Sequence, residues 1–380
     1  MEESLRTTAV HYDGRHVWAV DDIVGGLYKI DMLTMDVLCV IDPIELYRYD
    51  SFEVASIIEK DNFIIIIPQF LKHRWVFYNK KNKEILYRKI LSINGYTPEI
   101  RLIKNTVYIP PLFSNGVFVL LDINQMQPIS IIEKSYMKDQ EFQIWRTFQV
   151  GNTCCLPLRG TKMIYGISGD FQRFIEMEIE EMLGDADGEN GEYWVLPLKG
   201  NCIYHVDDKG AIIKKIRLII DTEELQAGDF IRIISTHLYI FLLPNSKRDI
   251  CVYDRMKCQF FKMHSKESQL SNKISYDIDD LPYWGYLMNK ESIWFLPRSF
   301  KLMSIKFDTL EIENRDIFLP SREDYEIVNK WVRMSHTDNI FFEEAKDSLF
   351  LYLKNNRIGN VFQNQEVGKK IYKYIATHFG

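Results

Sequence analysis

The chain has 380 residues, of which 46% are apolar and 13% aromatic, enough for a large buried core and too many for a disordered chain. Its formal net charge of −6 and pI near 5.8 give no global attraction to nucleic acid or to an anionic membrane surface. The acidic start Met1-Glu2-Glu3-Ser4 lacks the apolar stretch of a secretory leader, and the longest apolar run, residues 63–68, falls far short of the ~20 residues that cross a bilayer. Together these features predict a cytoplasmic monomer with no membrane or nucleic-acid partner.

Along the chain one pattern recurs seven times. An apolar strand ends in Pro, a short polar loop follows, and a second apolar strand ends in Asp or a near equivalent before a turn. The copies run from Val17-Trp18-Ala19-Val20 to Ile30-Asp31, from Ile64–Pro68 to Tyr78-Asn79, and from Val107–Pro110 to Leu121-Asp122. They continue from Cys154–Pro157 to Ile167-Ser168, from Trp194–Pro197 to Val206-Asp207, from Phe241–Pro244 to Tyr253-Asp254, and from Trp294–Pro297 to Phe307-Asp308. The second landmark returns every 39 to 54 residues, the period of a propeller blade. Only the first copy lacks the Pro, with Asp21-Asp22 in its place.

Pro fits a strand end because no ladder donor is lost there, and Asp or Asn fits a turn because its side chain accepts local backbone N–H groups. A further β-rich stretch precedes most copies: residues 52–58, 98–103, 142–150, 230–235 and 283–288. The expected unit is therefore a meander of strands a, b, c and d, with Pro closing b and Asp opening the c–d turn. Three places are ragged. Copy five has Met-Leu-Gly-Asp-Ala-Asp-Gly-Glu-Asn-Gly-Glu (182–192) where strand a is expected. A polar insertion, 264–280, precedes copy seven. Residues 326–334 resemble one more strand a. Six, seven or eight blades fit, seven best.

Past residue 340 the pattern changes. Residues 342–355 and 366–379 favour helix, with Val367, Ile371, Tyr374 and Ile375 at helical spacing. The expected organisation is an all-β propeller over 1–339 and a helical C-terminal cap over 340–380. Segments such as Leu-Tyr-Lys-Ile-Asp (27–31) and Ile-Cys-Val-Tyr-Asp (250–254) resemble the repeats of bacterial seven-bladed propellers of the YVTN type. That resemblance implies a fold and an architecture and no activity.

Six cysteines (39, 154, 155, 202, 251 and 258) contain no CxxC, and five lie in expected strands, so they read as small hydrophobes. The eight histidines are scattered, with His205 read as a packed or edge residue. The Trp18, Trp194 and Trp294 column, with Phe241 equivalent, reads as blade-to-blade packing. Residues 185–192 alternate oxygen ligands and glycines as calcium loops do, but depart from the EF-hand pattern and read as a solvated acidic loop. No cofactor and no metal are expected.

Two candidate ligand-binding features remain. Asp21 and Asp22, where the repeat breaks, could bind a cation or act as a base. The b–c loops carry Lys72-His73-Arg74, Arg159 and Lys162, Lys199, Lys247-Arg248, and Arg298 with Lys301. A four-stranded meander places these loops on one face, where Arg159, Lys199, Lys247, Arg248 and Arg298 could meet an acidic small molecule, a glycan or a protein. The favoured reading is a non-catalytic binding or scaffold propeller. The alternative is a hydrolase or lyase acting on carbohydrate at the channel mouth.

Overall fold

The computed structural model describes residues 5–317 apart from 6, 8, 22–24, 42, 47–53, 133–140, 170, 221, 246–248, 264–282, 290, 298–301 and 316. These residues form seven four-stranded antiparallel sheets, each a simple meander in chain order, which are the blades of a β-propeller. The blades span residues 10–41, 54–88, 101–132, 148–176, 183–217, 230–263 and 283–315. An extra two-stranded pair, Ile219–Ile220 with Glu223–Glu224, follows blade 5. The expected cap at 340–380, the boundary before it, the insertion at 264–280 and the stretch at 326–334 lie outside the described residues.

The chain divides into two compact units. One comprises Met1–Pro68, Lys72–Leu91 and the chain from Trp284, and so holds blades 1, 2 and 7; the other comprises Gln69–Leu71 and Ser92–Tyr283 and holds blades 3 to 6. In the first unit, Leu5 N–H donates to the Ile317 carbonyl at 2.8 Å, bringing the two ends of the described chain together.

Both repeat landmarks have a structural cause. At the c–d turn the carboxylate Oδ1 of Asp31 accepts the N–H groups of Leu33 and Thr34, that of Asp122 those of Asn124 and Gln125, and that of Asp254 those of Met256 and Lys257. Asn79 does the same for Lys81 and Asn82 through its amide oxygen. Four residues on, the chain turns back through positive φ at Met35, Lys83, Met126 and Cys258. At the other landmark, Pro68, Pro197 and Pro244 pair with the first residue of strand a: Val54, Leu183 and Phe230 respectively. Pro has no N–H to give the ladder, and strand a bulges just past it, at Ala55, Gly184 and Ile231.

The core lies in layers between neighbouring blades. Blades 1 and 2 share Trp18, Ile64, Ile66 and Val76; blades 5 and 6 share Trp194, Ile203, Ile233 and Leu242. The tryptophan column packs as expected. Trp18 meets Tyr78 of the next blade with ring centroids 6.0 Å apart, Trp194 meets Tyr253 at 6.0 Å, and Trp294 meets Tyr12 at 6.1 Å. Cys154 and Cys155 point to opposite faces of blade 4, into two different core layers.

The described residues are nearly all β, as expected, with a single helical turn, Pro43–Leu46, between blades 1 and 2 and a 3-10 turn, Ala227–Asp229, before blade 6. Both are too short to leave a periodic signature. One expectation is corrected. Blade 5 does have a strand a, Leu183–Glu189, formed by the segment expected to be a solvated acidic loop. Its Asp185 and Asp187 are buried because each serves backbone donors of the next blade.

Candidate binding face on the b–c loops

Within residues 69–71 and 92–283, the b–c loops are stitched together by short backbone bridges. Leu71 N–H donates to Gly95 O at 3.0 Å and Thr97 N–H to Gln69 O at 2.9 Å. Leu112 N–H then donates to Tyr96 O at 2.8 Å, and Ile144 N–H to Leu112 O at 2.9 Å. Gln143 and Arg159 exchange both of their backbone bonds, at 3.1 and 2.9 Å. Gly160 N–H reaches Leu183 O at 2.9 Å, Leu198 N–H reaches Met182 O at 2.8 Å, and Ala227 N–H reaches Gly200 O at 2.6 Å. Each segment entering a strand a is thus held against neighbouring b–c loops. The loops form a continuous backbone belt, and the side chains on it have fixed anchor points.

On this belt Arg159 is the best-defined cation. Its guanidinium lies 3.9 Å from the centre of the Trp145 ring, and its Nη1 donates to Gly184 O at 2.9 Å. Gly184 is the bulge residue of strand a, and it is this carbonyl that Arg159 takes. A Cβ at Gly184 would stand 2.9 Å from Leu196 O, so the bulge needs Gly there. Trp145 Nε1 donates to Gln143 Oε1 at 2.9 Å, which fixes the ring under the guanidinium. Along the same belt Phe70 and Tyr96 pack with centroids 4.8 Å apart. Tyr96, Phe113 and Met182 are 45%, 46% and 50% exposed.

Beneath lies a charged cluster that sequence reasoning missed. Arg146 is 3% exposed and spans three blades. Its Nη1 donates to Ile233 O at 2.9 Å and lies 3.4 Å from Asp185 Oδ2, and its Nη2 lies 3.1 Å from Asp187 Oδ1. Asp185 Oδ2 also accepts Ile233 N–H at 2.9 Å, and Asp187 Oδ2 accepts Ser235 N–H at 2.8 Å. Ile233 and Ser235 belong to an edge strand whose outward donors have no ladder partner, and the two carboxylates supply one. Burial pushes the Asp185 pKa up, opposed by the positive charges of Arg146 and Arg232. Only the alternation of Asp185 and Asp187, two residues apart and therefore on one face of a strand, hinted at this in the sequence.

The sequence-predicted residues fall in different places. Arg159 and Lys199 both sit on the belt, Arg159 half-buried and Lys199 exposed. Asp21 belongs to the other unit. It is buried at the end of strand b, where its carbonyl accepts Gly25 N–H at 3.0 Å. Lys72, His73 and Arg74 are also in that unit. Asp22, Lys247, Arg248, Arg298 and Lys301 lie outside the described residues. His205 stacks on Trp194 at 4.4 Å and pairs with Glu192 at 2.8 Å, a packed edge histidine as read from the sequence.

Comparison with protein-family models gives no match, and comparison with curated proteins gives none either. Solved structures do resemble the chain in fold. The computationally designed Ika8 protein matches 83% of this chain and 87% of its own at 11% identity, with a TM-score of 0.54. The dihydro-heme d1 dehydrogenase NirN in complex with DHE matches 85% and 68% at 11% identity, TM-score 0.52. Hsv2 of Kluyveromyces lactis matches 82% and 98% at 7% identity, TM-score 0.51. At these identities the likeness concerns the fold alone. No helix among the described residues is long and apolar enough to cross a membrane.

Proposed function

We propose that this chain is a non-catalytic binding or scaffold propeller that receives an acidic ligand or partner on the b–c loop face of residues 69–71 and 92–283. The observation that carries this reading is the Arg159–Trp145 stack, held on a stitched backbone belt beside exposed aromatic side chains. Such an arrangement offers a fixed positive charge and a fixed apolar surface with little ordering left to do on binding. Arginine and aromatic side chains are the types that dominate interface energetics. Asp185 and Asp187 hold backbone N–H groups and Arg146, which favours a structural role for them over acid–base chemistry.

The test is retention on an immobilised polyaspartate resin at low salt, for the parent chain and for a variant with Arg159 and Lys199, the two predicted cations that sit on the belt, replaced by Ser. The parent is expected to bind, to elute earlier as salt rises towards physiological strength, and to lose retention in the variant. Equal retention of the two proteins would reduce the basic loops to solvation and end the proposal.

A further inference from the structure

We propose that Cys258 and Lys214 are a redox-responsive pair, in which a hydroperoxide oxidises the Cys258 thiolate and the Lys214 amine then closes a sulfenamide bond onto the sulfur, linking blades 5 and 6. This inference goes beyond the binding reading and concerns the opposite end of the strands, where the c–d turns lie.

The two blades build the pair together. Lys214 is an exposed residue of strand d of blade 5, in register with His205. Cys258 is the left-handed residue of the c–d turn of blade 6, with φ of 55°, and Tyr253 lies on the strand c that enters this turn. Lys214 Nζ donates to Tyr253 Oη at 3.0 Å and to Cys258 Sγ at 3.4 Å. Tyr253 is buried and its ring packs against Trp194 and Phe260, at 6.0 and 5.0 Å between centroids. The hydroxyl that holds the amine beside the sulfur is therefore itself fixed.

Lys214 differs from nearby lysines in what it pairs with. Lys215 meets Glu180, Lys257 meets Asp254 and Lys262 meets Glu223, whereas among the described residues no carboxylate pairs with Lys214. Its charge is left to the sulfur. Hydrogen bonds from Tyr253 and Lys214 lower the Cys258 thiol pKa, and bonds to Tyr253 and Cys258 raise that of Lys214. The thiolate is the nucleophilic form of cysteine, and of the six cysteines Cys258 alone is exposed.

The chemistry balances within the pair. The thiolate attacks one peroxide oxygen, the S–O bond forms and the O–O bond breaks, so sulfur is oxidised and the peroxide reduced. The leaving oxygen takes a proton from the Lys214 ammonium, and hydrogen peroxide thus departs as water. Cys258 is now a sulfenic acid and Lys214 a neutral amine. The amine nitrogen attacks the sulfur, the S–N bond forms, the S–O bond breaks, and the hydroxide leaves as water with a proton from the nitrogen. Sulfenic acids condense with backbone nitrogen in the same way. Reacting atoms about 3–3.5 Å apart are in a near-attack geometry, and Sγ and Nζ already stand at that separation. An added thiol reopens the link by attacking the sulfur and releasing the amine.

The experiment treats the native full-length chain with stoichiometric hydrogen peroxide at neutral pH, with and without dimedone to trap sulfenic acid, and maps its peptides by mass. Lys214→Arg is mapped alongside; it keeps the positive charge, and arginine does not give up its proton. The parent is expected to yield a peptide joining Lys214 to Cys258, two hydrogens lighter than the sum of its parts and lost on treatment with dithiothreitol. Lys214→Arg should give no such peptide, and its Cys258 should stop at the sulfenic acid and be labelled by dimedone several-fold more than in the parent. Lys214 is exposed, so the substitution leaves the blade cores intact. Absence of the joined peptide from the oxidised parent would overturn the proposal. So would equal dimedone labelling of Cys258 in the two proteins, or oxidation of Cys154 or Cys155 ahead of Cys258.

Discussion

Strand a of blade 2 reads Val-Ala-Ser-Ile-Ile-Glu-Lys, and strand a of blade 5 reads Leu-Gly-Asp-Ala-Asp-Gly-Glu. The two are buried alike, residue by residue, over all seven positions, and both bulge after their first residue, opposite a proline. Yet one is a hydrophobic strand and the other has the composition of a loop. The comparison teaches that the position needs satisfied groups more than apolar ones. In blade 2 the side chains supply contact area. In blade 5 the carboxylates supply acceptors to the free edge of the next strand, and Arg146 pairs with both. A buried carboxylate is tolerable on those terms and costly on any other.

The largest effect should come from breaking that balance. Arg146→Met removes the ion-pair partner that buried Asp185 and Asp187 share, and a loss of about 3–5 kcal/mol is expected in urea unfolding. Ile57→Val removes one methyl group from the corresponding strand of blade 2, for about 0.5–1.5 kcal/mol. If both changes cost the same, the charged strand draws no more on specific partners than the apolar one, and the comparison collapses.

The c–d turns offer a smaller and more uniform effect. Asp122→Ala deletes the acceptor for Asn124 and Gln125, and about 1 kcal/mol should be lost. Ser168 makes no such bond in blade 4, where the chain turns at once through Gly169, so Ser168→Ala should cost almost nothing.

Acid sharpens the contrast between two carboxylates. Burial raises the Asp13 pKa, but the N–H groups of His16, Trp18 and Arg15 more than offset it and hold the acid at about 2. Its folded value lies below its unfolded one. Asp13 therefore stabilises the fold above the unfolded value, and that contribution is lost as pH falls from about 4 towards 2. Asp185 is shifted the other way, so its contribution weakens as pH rises through its raised value. Stability curves of Asp13→Asn should lose the acid-side fall, and those of Asp185→Asn should lose a slope of opposite sign. Slopes of the same sign would show that the buried cluster is not strained by burial.

The last expectation leaves stability untouched. Cys258 is exposed, and bonds from Tyr253 and Lys214 lower its thiol pKa, with Lys214 Nζ at 3.4 Å. Burial pushes the Cys155 thiol up to about 12 and raises Cys154 as well. Brief iodoacetamide treatment of the native protein at neutral pH should label Cys258 first, as peptide mass analysis would show. Early labelling of Cys154 or Cys155 would contradict the placement of these residues in the core of blade 4.

The sequence by itself determined the blades. A proline in six of the seven copies and an Asp or near equivalent in each mark local events, a missing ladder donor and a turn closed by its own side chain, and local events are written in local residues. The tryptophan column was legible for a similar reason, since Trp18, Trp194 and Trp294 each meet a tyrosine of the neighbouring blade the same way. What only the tertiary structure decided was the pairing of residues far apart in the chain. Arg146 meets Ile233 across 87 positions, and Asp185 meets the same residue across 48. No spacing in a single sequence encodes those contacts, so the acidic stretch looked like a loop and Arg146 drew no notice. The binding face divides in the same way. Arg159 and Lys199 could be read from their loops, whereas the Trp145 ring under Arg159, the bulged Gly184 carbonyl beside it and the exposed Tyr96 and Phe113 became a surface only when the belt of backbone bonds joined the loops.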